Sequence, residues 1–544
     1  MTSPGHSDGP ATAQAIVEQR RSGGAKPSWP ALLGLILLSM AVRGFLIADD
    51  PCLSRDGVHF VTFARQLADE PVRWMKATTK QPGYAFLLLG AHRLLGPTLG
   101  GDTPESWQHC GQLLALMGGV VVCVATYLLT LHLFGQPAAI VAGVFAGLWP
   151  QGAHLSADVL SDMPHLALYL IALPAICGAL RRPRLWKPAL CGCILGLAYL
   201  IRQEALGLVG ASVVCWLWPG VHGPWRLKLT SVIILLVGFA AVVAPYSITT
   251  GKLMPNKGPA DLIEQWPSAA PAPVGPAAVL AHVVPTWLLP GRMAEEWGRS
   301  GRYVFSTLFL IGLFLKRRDG RRLMPRANPC GRRLVILAAS AQLILVVLRV
   351  GVFGEISSRY MVIPAALVIP WAAAAFVAVV GMLASRIMDP TPTRRSAVWV
   401  SGYIVVLAPL IYYVCLPVND GTQRYRAAGI WLRQHAGGEQ AVLAHDRLEQ
   451  IMFYAGRTYP QTTWRKCRDS ASAAELQEII ARNRPSWFVD AETSHQNLPD
   501  EAQHFKALLG GKATGDPPVH LVGPMGLRVM VFRIADVAPN QDME

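Results

Sequence analysis

The sequence predicts a polytopic α-helical membrane protein of about eleven spans with a small soluble α/β domain at its C-terminal end. Three observations carry that prediction. Of 544 residues, 52% are hydrophobic and only 15% charged, where a soluble globular chain carries about 25% charged residues. The apolar residues are blocked rather than periodic: Ala31–Ile47, Leu113–Leu131, Ser231–Val243, Leu334–Val347 and Val398–Leu416 are almost free of charge. After residue 416 the chain turns polar, with short mixed patterns. A hydrocarbon core of ~30 Å takes ~20 apolar residues as helix. Backbone polar groups in lipid must bond within their own segment, so the apolar runs are helices.

Residues 1–28 form a polar arm whose composition predicts disorder. The first apolar run follows it without a small-residue cleavage site and is a retained helix rather than a signal peptide. Length and charge place spans at approximately 29–48, 110–131, 137–154, 159–180, 188–202, 204–219, 229–248, 303–315, 333–352, 361–384 and 397–416. The pair 188–202 and 204–219 is short enough to be one broken hairpin. Ala277–Pro290 is apolar but short and proline-flanked, which suits an interfacial or re-entrant segment. Residues 29–416 therefore make one membrane domain and 417–544 a separate α/β domain. In the latter, Ala441–Ala444, Trp487–Val489, Val519–Val522 and Arg528–Arg533 read as strands, and Arg424–His435 and Ala473–Arg482 as helices.

A net charge of +15 first suggests nucleic acid. The basic residues sit in short gaps between apolar runs, so topology explains them and no nucleic-acid partner is expected. Arg181, Arg182, Arg184 and Lys187, then Arg226 and Lys228, then the Lys316–Arg322 run with Arg326, Arg332 and Arg333, then Arg386, Arg394 and Arg395 all fall on one side, with Arg20, Arg21 and Lys26. That side is cytoplasmic by the positive-inside rule. The N-terminus is then cytoplasmic. The loops 49–109, 249–302 and 353–360, and everything after 417, are extracytoplasmic in a multi-pass protein of the cell's inner membrane. Of ten cysteines, Cys52 and Cys110 bracket the first outer loop, where an oxidising compartment would allow a disulfide.

The outer face collects ionisable residues near helix ends. Asp56, in Ser54-Arg55-Asp56-Gly57, has two readings: a helix cap, or a general base that takes the proton of an acceptor hydroxyl. His154, Asp158 and Asp162 surround the third hairpin. Asp158 can cap the next helix. Asp162 lies at the lip of a span, where an ionisable group points to function. One histidine with two aspartates is an incomplete set for a divalent cation. Arg202 and Arg359 end outer helix termini, where each either snorkels to headgroups or presents a planar fork to phosphate. Lys80, Lys252 and Lys257 add positive charge. A carboxylate pair and several cations on one membrane face suit a lipid-linked phosphate, since the leaving group develops negative charge in a water-poor site.

These motifs resemble the GT-C glycosyltransferase superfamily, particularly its bacterial protein O-mannosyltransferase-like and aminoarabinose-transferase-like branch. The likeness spans about residues 29–416. It is carried by Arg55-Asp56-Gly57, by Lys80-Gln81-Pro82-Gly83-Tyr84 leading into Phe86–Leu95, by Leu160-Ser161-Asp162, by Leu200-Ile201-Arg202, by Tyr246 through Gly251, and by Ser358-Arg359-Tyr360. The resemblance implies inverting transfer of a sugar from a polyprenyl-phosphate donor to a glycan, lipid or protein acceptor. It implies that Asp56 acts on the acceptor and that Arg202 and Arg359, assisted by Lys80, take the donor phosphate; the candidate set adds Asp162 as a second catalytic residue and Asp158, His154, Tyr84 and Tyr360 in support. The family often places a second acidic residue after the first-loop Asp; Gly57 stands there, so the resemblance leaves a divalent cation open. The C-terminal part, with Tyr454-Ala455-Gly456-Arg457, resembles soluble outer domains appended in some relatives. A transporter or flippase of a lipid-linked saccharide is the rival reading, though no internal repeat is visible. A non-catalytic membrane scaffold is another.

Overall fold

The structure is a computed structural model. It describes residues 26–49, 52–78, 80–181, 184–219, 224–252, 289–314, 329–353, 357–386, 392–416, 423–435, 442–444, 448–456, 464–466, 487–491, 519–522 and 528–533. Most of Ala277–Pro290, the Ala473–Arg482 helix, Lys257 and the greater part of the N-terminal arm lie outside the described residues. Packing divides the chain into two units: Met1–Val42, Gly118–Ala153 and Met163–Val414 in the first, and Arg43–Met117, His154–Asp162 and Cys415–Glu544 in the second.

In chain order the elements through the apolar region are α1 (Trp29–Asp49), α2 (Arg55–Asp69), α3 (Pro71–Ala77), α4 (Gly83–Leu95), α5 (Pro104–Phe134), α6 (Gln136–Gly147), α7 (Pro150–Leu155), α8 (Asp162–Arg181), α9 (Trp186–Ile201), α10 (Ala205–Leu217) and α11 (Trp225–Thr250). They continue with α12 (Leu289–Ser300), α13 (Val304–Phe314), α14 (Pro329–Phe353), α15 (Val362–Ser385) and α16 (Pro392–Val414). Helix occupies each segment that the sequence assigns to a span. Among the described residues seven helices, α1, α5, α8, α11, α14, α15 and α16, are long and apolar enough to cross a membrane. The apolar helices α6, α9, α10 and α13 have 12, 16, 13 and 11 residues. At 1.5 Å per residue they reach about 16–24 Å, short of a ~30 Å core. The span expected at 137–154 is broken: α6 ends at Gly147 and α7 begins at Pro150, whose ring nitrogen has no hydrogen to continue the α6 ladder.

In the first unit, α9 and α11 approach backbone to backbone. A Cβ at Gly192 would strike the Leu235 carbonyl, and one at Gly238 the Ala189 carbonyl. Without a strong hydrophobic drive between helices in lipid, such small-residue contacts let dispersion act over a long seam. Phe145 of α6 packs against Phe305 of α13 at 5.6 Å and Phe376 of α15 at 5.9 Å between ring centroids.

The second unit begins with α2, an amphipathic helix. Its buried Val58, Phe60, Val61, Phe63, Ala64 and Leu67 recur at helical spacing and form one face. That face packs on α4, and α2 also meets α18 (Leu448–Tyr454), which packs on α17 (Gln423–His435). Five strands, β1 (Val442–Ala444), β2 (Trp464–Lys466), β3 (Trp487–Ala491), β4 (Val519–Val522) and β5 (Arg528–Arg533), form one sheet in the order β2-β1-β3-β5-β4. β1 runs parallel to β2 and β3, while β5 runs antiparallel to β3 and β4. The strand β2 escaped the sequence reading. The disulfide envisaged between Cys52 and Cys110 does not form: both are buried thiols.

Candidate functional site

In the second unit, Asp56 sits in the first turn of α2, and the N-cap is Ser54, whose side chain accepts from the Gly57 amide at 3.2 Å. The capping role considered for Asp56 therefore belongs to Ser54. Asp56 Oδ1 lies 3.6 Å from Lys80 Nζ, with side chains 43% and 34% exposed. The Lys80 ammonium also lies 4.4 Å from the centroid of the Phe60 ring, and Phe60 meets Tyr84 edge-on at 4.8 Å. The sequence motif Lys80–Tyr84 thus folds back on α2 and delivers its cation to Asp56.

Asp158 is not a cap of α8, which starts at Asp162. Its Oδ1 accepts the Ser54 amide at 3.2 Å and the Val159 amide at 2.7 Å, which ties the α7–α8 turn to the residue that caps α2. Tyr84 is fully buried; burial and then Asp158 and Asp162 push its phenol well above the ordinary tyrosine value. His154 lies in the last turn of α7, and its carbonyl accepts from the Ala157 amide. Two residues missed in sequence hold the same corner. Arg43, buried near the end of α1, donates from Nε to Ser156 Oγ at 3.0 Å. His59, one turn beyond Asp56, has its imidazole pKa lowered by burial and by Lys80 and Arg55, against the opposing pull of Glu449 and Asp56.

The residues just ahead of Asp56 are clasped by α18. The Leu53 amide donates to Tyr454 Oη at 2.8 Å, and that hydroxyl donates to Gln108 Oε1 at 2.9 Å. Gln450 donates to the Leu53 carbonyl. Arg55 pairs with Glu449 at 2.9 Å. No motif announced this clasp; Tyr454 stood out in sequence only within the resemblance to appended domains.

In the first unit, Arg202 ends α9 and pairs through Nη2 with Glu204 at 3.0 Å. Gln342 of α14 donates to the Glu204 carbonyl at 2.7 Å and to Tyr169 Oη at 3.4 Å. Glu204, absent from the sequence-derived set, is the residue that orients the arginine. Arg359 lies in a 3-10 turn, Ser358–Met361, whose start is capped by Ser357. The neighbouring Tyr360 is held by Arg349, which donates to its hydroxyl at 2.8 Å. Gly251, at φ 69°, ends α11 in the left-handed region. Lys252 follows it.

Residues 105–248 match the family described as dolichyl-phosphate-mannose-protein mannosyltransferase. No sequence match to a curated protein reaches significance. Among solved structures, ArnT from Cupriavidus metallidurans bound to undecaprenyl phosphate superposes with a TM-score of 0.57 at 13% identity, covering 94% of this chain and 99% of that one. The Archaeoglobus fulgidus oligosaccharyltransferase in complex with Zn and sulfate gives 0.56 at 13%, covering 94% and 74%. The same organism's AglB with an inhibitory peptide and a dolichol-phosphate gives 0.51 at 14%, covering 95% and 75%. The chain has the GT-C fold.

Within this GT-C fold, Gly57 explains a departure noted in the sequence. A Cβ there would meet Asp158 Oδ1 at 3.2 Å, the Val159 carbonyl at 3.3 Å and Val159 Cβ at 3.4 Å. A second acidic side chain after Asp56 would require the Asp158 turn to give by a few tenths of an ångström. Among the described residues no three His, Cys, Asp or Glu side chains gather as metal ligands.

Proposed function

We propose that this GT-C protein is a membrane glycosyltransferase that moves a hexose- or pentose-type sugar from a polyprenyl-phosphate donor to an acceptor hydroxyl, with inversion, on the outer face of the inner membrane. The observation that carries the proposal is the Asp56–Lys80 pair at the start of α2. Asp56 takes the proton of the acceptor hydroxyl as its oxygen bonds to the anomeric carbon. The bond from that carbon to the phosphate oxygen breaks on the opposite face, which inverts the centre. The lipid phosphate leaves with its negative charge, and cations stabilise it. Lys80, Arg202 and Arg359 are assigned to that phosphate. Asp162 completes the carboxylate pair, and Asp158, His154, Tyr84 and Tyr360 support the site.

The ArnT structure named above is bound to undecaprenyl phosphate and the AglB structure holds a dolichol-phosphate. Those ligands support a lipid-phosphate donor for this chain. The proposed orientation puts the N-terminus in the cytoplasm and residues 417–544 outside. All eleven apolar helices, the four short ones included, belong to the membrane domain 29–416 in this reading.

The test is sugar transfer by the purified full-length protein from polyprenyl-phosphate donors. Asp56→Asn is expected to lose about 10²- to 10⁴-fold in rate, the usual worth of a general base. Full turnover in that variant would remove Asp56 as base. Arg202→Ala and Arg359→Ala are expected to weaken donor binding. Unchanged affinity in both would refute the phosphate assignment.

A further inference from the structure

Gln81 and Tyr84 are 6% and 0% exposed, yet Gln81 Oε1, Gln81 Nε2 and Tyr84 Oη have no hydrogen-bond partner among the described residues. Among the buried glutamines of the same unit only Gln81 has both side-chain atoms unmatched: Gln108 accepts from Tyr454, Gln450 donates to Leu53 while its Oε1 is unmatched, and of Gln112 only Oε1 is unmatched. A buried polar atom left unmatched costs about 1–3 kcal/mol, and native folds retain few of them. Three such atoms lie within four residues of one another. A short chain of contacts joins the Tyr84 ring to the reactive pair, and Gln81 follows Lys80 in sequence: Asp56 to Lys80 at 3.6 Å, Lys80 to the Phe60 ring at 4.4 Å, and Phe60 to the Tyr84 ring at 4.8 Å.

We propose that Gln81 and Tyr84 form the subsite that reads the hydroxyls of the donor's sugar. This rests on the glycosyltransferase reading above and goes beyond it by naming the residues that recognise the transferred group. A donor lipid has three parts. Its tail offers no hydrogen bonds, and its phosphate only accepts them. Only the sugar carries adjacent hydroxyls that both donate and accept. A carboxamide presents a donor and an acceptor side by side, and a phenol hydroxyl does both, so these three atoms match a sugar and not a phosphate. The sugar is bonded directly to the phosphate assigned to Lys80, which places it one aromatic ring from Tyr84.

The experiment compares binding of polyprenyl phosphate with and without a hexose to the full-length protein, using the glucose, galactose and mannose forms and keeping the one that the wild type binds tightest. Tyr84→Phe and Gln81→Leu remove the orphaned atoms at nearly constant volume. Each is expected to weaken the sugar-bearing lipid about tenfold or more, the loss when a sugar hydroxyl goes unmatched. Affinity for sugar-free polyprenyl phosphate stays constant. The ligand-free Tm stays constant or rises, because the atoms removed had no internal partner. Unchanged affinity for the sugar-bearing lipid, equal losses for both lipids, or a lowered ligand-free Tm would each overturn the subsite. A wild type that binds neither lipid would defeat the glycosyltransferase reading itself. A wild type that prefers the sugar-bearing lipid, with variants that keep the preference, would defeat the subsite alone.

Discussion

At the scale of single residues, the site depends on how little room surrounds Gly57, next to Asp56. Ser54 caps α2, Asp158 holds the Ser54 amide, and Gly57 leaves the space that the Asp158 carboxylate occupies. Gly57→Ala is therefore expected to push the Asp158 turn away and to cost about 1–3 kcal/mol, as overpacking does. Thermal unfolding and transfer rate check it together; a variant as stable and active as the wild type would contradict the packing. His59 supplies a pH dependence. Its folded pKa lies below the ordinary 6.5 because burial, Lys80 and Arg55 outweigh Glu449 and Asp56. The unfolded chain then binds the proton more readily, so this contribution to stability is complete above about pH 6.5 and declines as pH falls toward the folded value. His59→Gln is expected to flatten the acid limb of Tm against pH, and an unchanged slope would show that His59 does not carry it. Asp56 was legible as a candidate because an aspartate beside a glycine follows an apolar span. Its partner was legible as a charge but not as a contact, since 24 positions separate Lys80 from Asp56 and only the folded chain brings them together.

At the scale of elements, helices are legible wherever apolar length decides the matter. The breaks between them are less so: Pro150 divides a run that reads as continuous. The clasp of α18 on the chain ahead of α2 left no signal at all, because Tyr454 and Leu53 are 401 positions apart. Glu204 was passed over for a related reason. It sits two residues from Arg202 between two apolar helices, and its value lies in the ion pair and in the bond that Gln342 makes to its carbonyl. The α18 clasp makes Tyr454→Phe informative. It removes one acceptor from the Leu53 amide and one donor from Gln108, and it is expected to cost about 1–3 kcal/mol of stability. The transfer rate is expected to fall with the donor's affinity unchanged, because the clasp positions Asp56 and does not touch the donor. A loss confined to donor affinity would contradict that role.

At the scale of the whole molecule, composition and run length alone pointed to a polytopic helical membrane protein, and the seven long apolar helices among the described residues agree with it. The proposed sidedness rests on the distribution of lysine and arginine between apolar runs. A reporter fused after Glu544 is expected to be active only outside the cytoplasm, and cytoplasmic activity would reverse the proposed topology. The central claim, sugar transfer from a lipid phosphate with Asp56 as base, is tested most directly by the lipid and glycan profile of cells lacking the protein, carrying it, or carrying Asp56→Asn. The expected result is accumulation of one polyprenyl-phosphate sugar and loss of one saccharide product in the first and third strains, both restored by the wild type. Identical profiles in all three strains, or full restoration by Asp56→Asn, would contradict the claim.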